Sequence, residues 1–367
     1  MGYEPALASS GPARRVSNTI RLMVVDDSII ARTVYSRIIE NERDLELVAV
    51  AGTAEQALGM LATVKVDVIL LDLEMPGMGG FEALPRMIEI AQGAQVLVVS
   101  SLTRDGAHHT VRALALGAAE TMPKPPPGTF DRDYRAGLVA KIRGLGRTAR
   151  WGQRPPLLAG RPPPVLRRGS DKQARVLAIG ASTGGIPALD RLFARLPERL
   201  GVPILVTQHL PASFMAVLAR QLEAVSGRPA LLAQAGLELA PDQIVIASGD
   251  AHLTVVERAG RYLVRLDRNP VPSGCCPSLD PMFASLAEVF GPHSLGVVLS
   301  GMGRDGTAGA KDIVEAGGTI LVQDEASCAV WGMPGAVATA GLASAIMPPE
   351  QLAGRIVAGT GGRAQWN

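Results

Sequence analysis

Cysteine is scarce in this chain: there are three, an odd number, and two of them, Cys275 and Cys276, are adjacent. That pattern suits neither a disulfide framework nor a spaced metal site, so reduced thiols and a cytosolic, cytoplasmic setting are expected. Long apolar runs are missing as well. Nothing approaches the ~20 residues needed to span a bilayer, and the opening MGYEPALASSGPARRVSNTI holds no stretch long enough for a signal peptide. Membrane insertion is therefore not expected. Charge of one sign is the third absence: 36 Lys and Arg stand against 34 Asp and Glu. No overall field exists to gather nucleic acid or anionic lipid, which favours a protein or small-molecule partner.

What the chain does have is length and apolar content, 367 residues and 47% hydrophobic, enough for two domains of ordinary size. Its prolines are partly concentrated. From Thr148 to Lys172 the sequence TARWGQRPPLLAGRPPPVLRRGSDK has five prolines and no periodic apolar face, which reads as a semi-stiff, solvated connector. Before it, the runs IRLMVV, LELVAVA, VDVILLD and QVLVVS alternate with helical patterns near Ile29 to Glu40 and Ala54 to Ala62. After it, RVLAIG, VPILVTQ, DQIVIAS, LGVVLSG and TILVQD do the same, with a helix around Phe214 to Ala224. Short, wholly apolar strands in βαβ alternation predict parallel sheets covered on both faces, so both halves are expected to be doubly wound α/β domains. The expected division is a disordered tail over 1–19, a first domain over 20–143, a Pro/Arg-rich linker over 144–173, a second domain over 174–358 and a tail over 359–367.

In the first half, Asp26 and Asp27 follow IRLMVV and Asp72 ends VDVILLD. Carboxylates at strand C-termini converge on one crevice in such a sheet, and three of them together call for a hard cation such as Mg²⁺. An acid pair alone could simply cap a helix. Ser100, ending QVLVVS, and Lys124, in TMPKPPP, belong to the same edge, where a hydroxyl and an ammonium could contact a phosphoryl group on Asp72. With LEMPGMGG after Asp72, these residues make 20–143 resemble a response-regulator receiver domain. The resemblance implies a flavodoxin-like sheet, phosphotransfer to Asp72 from a histidine kinase, and Ser100 as the switch hydroxyl. One departure is Thr121, where receivers usually carry an aromatic residue.

In the second half, Gly180-Ala181-Ser182-Thr183-Gly184-Gly185 sits between the strand RVLAI and the helical PALDRLFARL. As G-x-S-x-G it fits a nucleophile on a strand-to-helix turn, although a glycine-rich phosphate-binding loop fits the motif equally well. A serine nucleophile needs a base. His209, directly after VPILVTQ, meets that need, while His108 and His109 belong to the first domain and His252 and His293 lack motif support. A carboxylate must then orient the imidazole. Asp305 in LSGMGRDGTAG is the candidate, with Asp280 and Asp324 as competitors and a helix N-cap as its ordinary reading. The order Ser, His, Asp argues against the α/β-hydrolase superfamily.

Together GASTGG, QHLP, PSLD, SGMGRDG, GG-TILVQDEAS and WGMP make Arg175 to Ile346 similar to the catalytic domain of the chemotaxis methylesterase family, CheB. The resemblance implies Ser182 as nucleophile, His209 as base and Asp305 as its partner, with the Met302 N–H in the oxyanion site and Thr183 shaping the pocket. It also implies methylated chemoreceptors as substrate, with no cofactor for the ester hydrolysis, and glutamine deamidation as a related activity. Gly335 replaces a residue that is often basic in the family. The competing reading is a receiver-controlled binding module without catalysis. A DNA-binding output is disfavoured because the second half offers no basic recognition helix.

Overall fold

Apolar runs such as VILLD and ILVTQ become strands buried on both faces, and Ser28, Thr53 and Ser278 cap three of the helices between strands. The computed structural model describes residues 19–100, 104–125, 130–151 and 164–361, with backbone only at 104–108 and 148–151. The expected N-terminal tail up to residue 18, the proline-rich stretch 152–163 and residues 362–367 lie outside the described residues. The first unit runs β1 Ile20–Val25, α1 Ile29–Glu40, β2 Leu45–Ala51, α2 Ala54–Leu61 and β3 Val68–Asp72. It continues with α3 Gly79–Ile90, β4 Gln95–Ser100, α4 Arg104–Ala115, β5 Glu120–Pro123 and α5 Arg132–Trp151. Ser28 caps α1 by accepting the Ala31 N–H at 3.3 Å, and Thr53 caps α2 by accepting that of Gln56 at 3.3 Å. The strands form one parallel sheet in the order β2-β1-β3-β4-β5, the flavodoxin-like order, with Asp26 and Asp72 at its C-terminal edge.

The second unit begins with β6 Val176–Ala181, α6 Gly185–Phe193, β7 Ile204–Gln208, α7 Ala212–Ser226, β8 Ala230–Leu232 and β9 Ile244–Ile246. Next come β10 His252–Arg258 and β11 Arg261–Asp267, then α8 Leu279–Phe290, β12 Ser294–Val298 and α9 Thr307–Glu315. The unit ends with β13 Thr319–Gln323, α10 Met333–Thr339, β14 Ala345–Met347 and α11 Pro349–Thr360. Seven strands form a parallel sheet in the order β14-β13-β12-β6-β7-β9-β8. The central strands β6, β7 and β12 are wholly buried, and each Val, Leu or Ile there contributes about 1.5–3 kcal/mol through removal from water.

Two features depart from the sequence-based expectation. The pair β10–β11 is an antiparallel hairpin outside the parallel sheet, at a place where only βαβ alternation was anticipated. Helix α5 continues through Trp151, past residue 144 where the linker was placed. The reason is packing: Leu145 is buried against the first sheet, so the helix gains apolar contacts beyond the expected boundary.

The two units share core. One buried cluster includes Val111 and Leu114 of α4 together with Leu189 of α6 and Leu218 of α7. Helix α4 packs on both α6 and α7.

Candidate active site and phosphoacceptor site

The turn after β6 is built so that a serine can stand at its tip. Gly184 takes φ 72°, a left-handed conformation open to glycine, and caps α6. The Ser182 N–H donates to Ser300 O at 2.9 Å, tying the turn to the end of β12. The Ser300 hydroxyl donates to Thr183 O at 2.7 Å, and Gln208 Nε2 donates to Ser182 O at 2.9 Å. At Gly301 a Cβ would fall 2.9 Å from Ser182 Cβ and 2.4 Å from Met333 Sδ, so only glycine lets the two loops approach this closely.

His209 leaves the end of β7, where its N–H donates to Ala181 O at 3.1 Å. Its Nε2 lies 2.8 Å from Asp305 Oδ2, and the side chain is 15% exposed against 2% for Asp305. Asp305 is held from three directions. Ser278 Oγ donates to Oδ1 at 2.6 Å, and the Leu279 N–H donates to Oδ2 at 2.8 Å, beside His209. Burial disfavours the charged carboxylate, but His209, Ser278 and the Leu279 amide outweigh it and hold Asp305 down at about 2. Burial likewise opposes the imidazolium, yet Asp305 and the Cys275 thiol hold His209 up at about 9. Among the described residues no hydrogen bond joins the Ser182 hydroxyl to His209; the structure brings His209 and Asp305 into contact and places Ser182 on the adjoining strand end.

The competing carboxylates do not reach the imidazole. Asp280 accepts the Gly309 N–H at 2.9 Å, anchoring α9, and Asp324 accepts from the Ser327 hydroxyl. The N-cap reading of Asp305 also fails, because Gly306 caps α9 and the Asp305 carboxylate is committed to Ser278, Leu279 and His209. Gly335 has a steric cause: a Cβ there would meet the Trp331 ring at 2.9 Å, so a longer side chain would displace that ring.

Sequence reasoning missed the support behind Asp305. His252 is buried, donates from Nε2 to Asn269 O at 2.9 Å and accepts the Ser278 N–H on Nδ1 at 3.0 Å. A continuous chain thus runs His252, Ser278, Asp305, His209. The PSLD motif contained Ser278, but nothing local in it indicates that hairpin β10–β11 supplies the partner.

At the other centre, carboxylate oxygens of Asp26, Asp27 and Asp72 all lie within 4.8 Å of one another. Lys124 Nζ is 2.6 Å from Asp72 Oδ2 and 3.0 Å from Asp26 Oδ2. Burial pushes the Asp72 carboxyl up despite Lys124. Asp26 Oδ2 is buried with that ion-pair contact and no hydrogen bond, so the all-oxygen set has capacity for a hard divalent cation and fits one. Ser100 is fully buried with its Oγ 2.5 Å from Thr110 Oγ1 of α4. Thr121, in the aromatic position, is buried and its hydroxyl has no hydrogen-bond partner among the described residues.

The two centres touch through β5. The Gly184 N–H donates to Ala119 O at 2.7 Å, and the Thr183 hydroxyl donates to the Glu120 carboxylate. Lys141 of α5 lies 3.2 Å from the same Glu120 oxygen, and the Thr121 N–H occupies the other at 2.8 Å. Helix α5 also presses on the opposite loop: a Cβ at Gly144 would lie 2.6 Å from Met302 Sδ. Thr183 and Met302, both expected at the pocket, are therefore among the residues that the first unit contacts.

Comparison with known proteins bears on both halves. A family model described as CheB methylesterase matches residues 177–356, and one described as response regulator receiver domain matches residues 22–129. Protein-glutamate methylesterase/protein-glutamine glutaminase 2 of Caulobacter vibrioides is 44% identical over 340 residues, covering 91% of this chain and 96% of that protein. Protein-glutamate methylesterase/protein-glutamine glutaminase 1 of Paramagnetospirillum magneticum is 39% identical over 374 residues, covering 95% and 97%. The crystal structure of the Thermotoga maritima CheB methylesterase catalytic domain aligns with 51% of this chain and 99% of its own, at 33% identity and a TM-score of 0.50.

Proposed function

Because the chain belongs to the CheB methylesterase family, with a receiver ahead of its catalytic domain, we propose that it hydrolyses glutamate γ-methyl esters on chemotaxis receptors under the control of phosphorylation at Asp72. The observation that carries this reading is the His209–Asp305 pair at 2.8 Å, at the strand end beside Ser182. Asp305 occupies Nε2, which leaves Nδ1 to take the Ser182 proton as Oγ attacks the ester carbonyl. Backbone donors at the turn and at Met302 receive the negative charge that develops on the carbonyl oxygen. His209 then gives its proton to the departing methoxide, and methanol leaves. Water, deprotonated by the same nitrogen, attacks the acyl-enzyme and frees the carboxylate and Ser182. Each turnover returns one negative charge to the receptor. A glutamine amide can follow the same tetrahedral route with ammonia as leaving group, which extends the reading to deamidation.

The control arm rests on β5. A histidine kinase of the chemotaxis type supplies the phosphoryl group, and these partners assign the protein to the cytoplasm. Asp26, Asp27 and Asp72 would hold Mg²⁺, which supplies positive charge to the phosphoryl oxygens. Lys124 and Ser100 turn toward the new group, so Ser100 exchanges its contact with Thr110 and Lys124 pulls on β5. Four and five residues before Lys124, Glu120 and Ala119 then release Thr183 and Gly184. Thr121 cannot act as an aromatic rotamer switch, which leaves strand displacement as the route.

Methanol release from methylated receptor membranes, with and without a small phosphodonor, tests both arms. Release is expected to rise with phosphodonor and to fall at least about 10³-fold in Ser182→Ala. Equal release from that variant would remove Ser182 as nucleophile, and none from either protein would leave a binding module as the better reading.

A further inference from the structure

One reactive group beside His209 takes up or gives up no proton in the ester hydrolysis. Cys275 lies between β11 and α8, and its Sγ, a ring nitrogen of His209 and a carboxylate oxygen of Asp305 all fall within 4.8 Å of one another. Cys275 and His209 are half-buried and Asp305 is buried, so the group is shielded yet open to solvent on one side. The thiol and the imidazole already interact, since Cys275 is among the groups that raise His209.

Imidazole, thiolate and carboxylate are the three ligand types of protein zinc sites, and three protein ligands leave the fourth position for water. Sulfur in the set selects against Mg²⁺ and Ca²⁺ and for zinc-like ions, the reverse of the all-oxygen cluster at Asp26, Asp27 and Asp72. The 2.8 Å between His209 Nε2 and Asp305 Oδ2 needs to open only modestly, because ligands ~2.0–2.1 Å from a tetrahedral ion stand about 3.3 Å apart. Asp305 is already oriented by Ser278 Oγ and the Leu279 N–H, the kind of outer contacts that fix a ligating carboxylate.

We propose that Cys275, His209 and Asp305 bind a thiophilic divalent cation of the zinc type, and that occupancy switches hydrolysis off because coordination through Nε2 leaves the ring proton on Nδ1, the nitrogen that must take the proton of Ser182. Binding releases the thiol proton and any proton on the coordinating ring nitrogen; no covalent bond within the chain forms or breaks, and no electrons are transferred. The inhibitory half rests on the esterase reading, whereas the binding half stands without it.

The test uses the full chain in excess Mg²⁺. Co²⁺ is added as a spectroscopic substitute for Zn²⁺, reading sulfur-to-metal charge-transfer absorption, and methanol release is followed as Zn²⁺ is titrated. The unaltered protein is expected to develop the band with one equivalent of Co²⁺, to lose it to Zn²⁺, and to lose turnover over the same Zn²⁺ range. Cys275→Ser should turn over, lack the band and require about 10–100 times more Zn²⁺ for inhibition. Cys276→Ser, which alters the neighbouring exposed thiol, should behave as the unaltered protein. Absence of the band from the unaltered protein, or its persistence in Cys275→Ser, would overturn the site. Binding without inhibition of an active enzyme would overturn the switch. A band in a protein that releases no methanol under any condition would support the cation site while counting against the esterase.

Discussion

The receiver and the catalytic domain each bury an aspartate at the C-terminal edge of a parallel sheet, and they treat it in opposite ways. Asp72 is surrounded by other carboxylates and relieved only by Lys124 and the Glu74 N–H, so burial wins and its carboxyl is pushed up. Asp305 meets a hydroxyl, an amide and an imidazole, so hydrogen bonding wins and it is held at about 2. What separates them is the number of donors rather than depth. A frustrated carboxylate is ready to accept a phosphoryl group and a cation, whereas a satisfied one is a permanent negative charge suited to steadying an imidazolium.

The sharpest way to break the contrast is to neutralise the satisfied aspartate. Asp305→Asn should lower methanol release by about 10⁴-fold, the scale seen when a triad loses its acid. In the unaltered enzyme the rate should climb with pH toward about 9, because His209 must be neutral to act as base and is held up there. In Asp305→Asn the residual rate should level off at lower pH. A profile unchanged between the two proteins would show that Asp305 does not govern His209.

The link between the two edges comes next. Glu120→Ala removes a charge-assisted bond worth about 1.5–3 kcal/mol, which should raise release without phosphodonor by about 10–100-fold. Phosphodonor should then add little. A variant as quiet as the parent would mean that β5 is not the restraining element.

A smaller effect should come from Ser278→Ala, which withdraws one donor from Asp305 and the N-cap of α8. A loss of about 1–3 kcal/mol in denaturant unfolding is expected. The sign with pH also follows. Asp305 has a folded value below its unfolded one, so its stabilisation is present above about pH 4 and fades as pH falls through about 2. Ser278→Ala should shrink that acid-side slope, and an identical slope would locate the effect in the cap instead.

Asp72→Asn should change stability least, and in the opposite direction. A raised carboxyl favours the fold below its unfolded value and loses that contribution as pH rises through the folded one. The amide should therefore raise the neutral-pH unfolding midpoint by roughly 1 kcal/mol equivalent while abolishing the phosphodonor response. A lower midpoint would show that Lys124 more than compensates for burial.

Much of this was legible because it is local. Wholly apolar runs such as VILLD and ILVTQ could become little but buried strands, and acids or histidines directly after them had to land on one edge. Order along the chain left Asp280, Asp305 and Asp324 open as partners of His209, and it was the resemblance to the methylesterase family that singled out Asp305. The remainder was hidden because it is made by distant partners. Ser278 looks like any capping serine until His252 meets it across 26 residues, and Glu120 is an ordinary strand residue until Thr183 reaches it across 63. Helix α5 outran its expected end for the same reason: its polar composition predicted a linker, while Leu145 found a core to enter.

The bond from the Gly184 N–H to Ala119 O joins main chain to main chain. Side chains around it, such as Glu120 and Thr183, can change and alter how firmly the two domains hold together. That one attachment survives almost any such change, since only proline at 184 deletes the donor. Under the proposed control, the restraint would rest on the main chain, with side chains such as Glu120 and Thr183 setting how readily it yields.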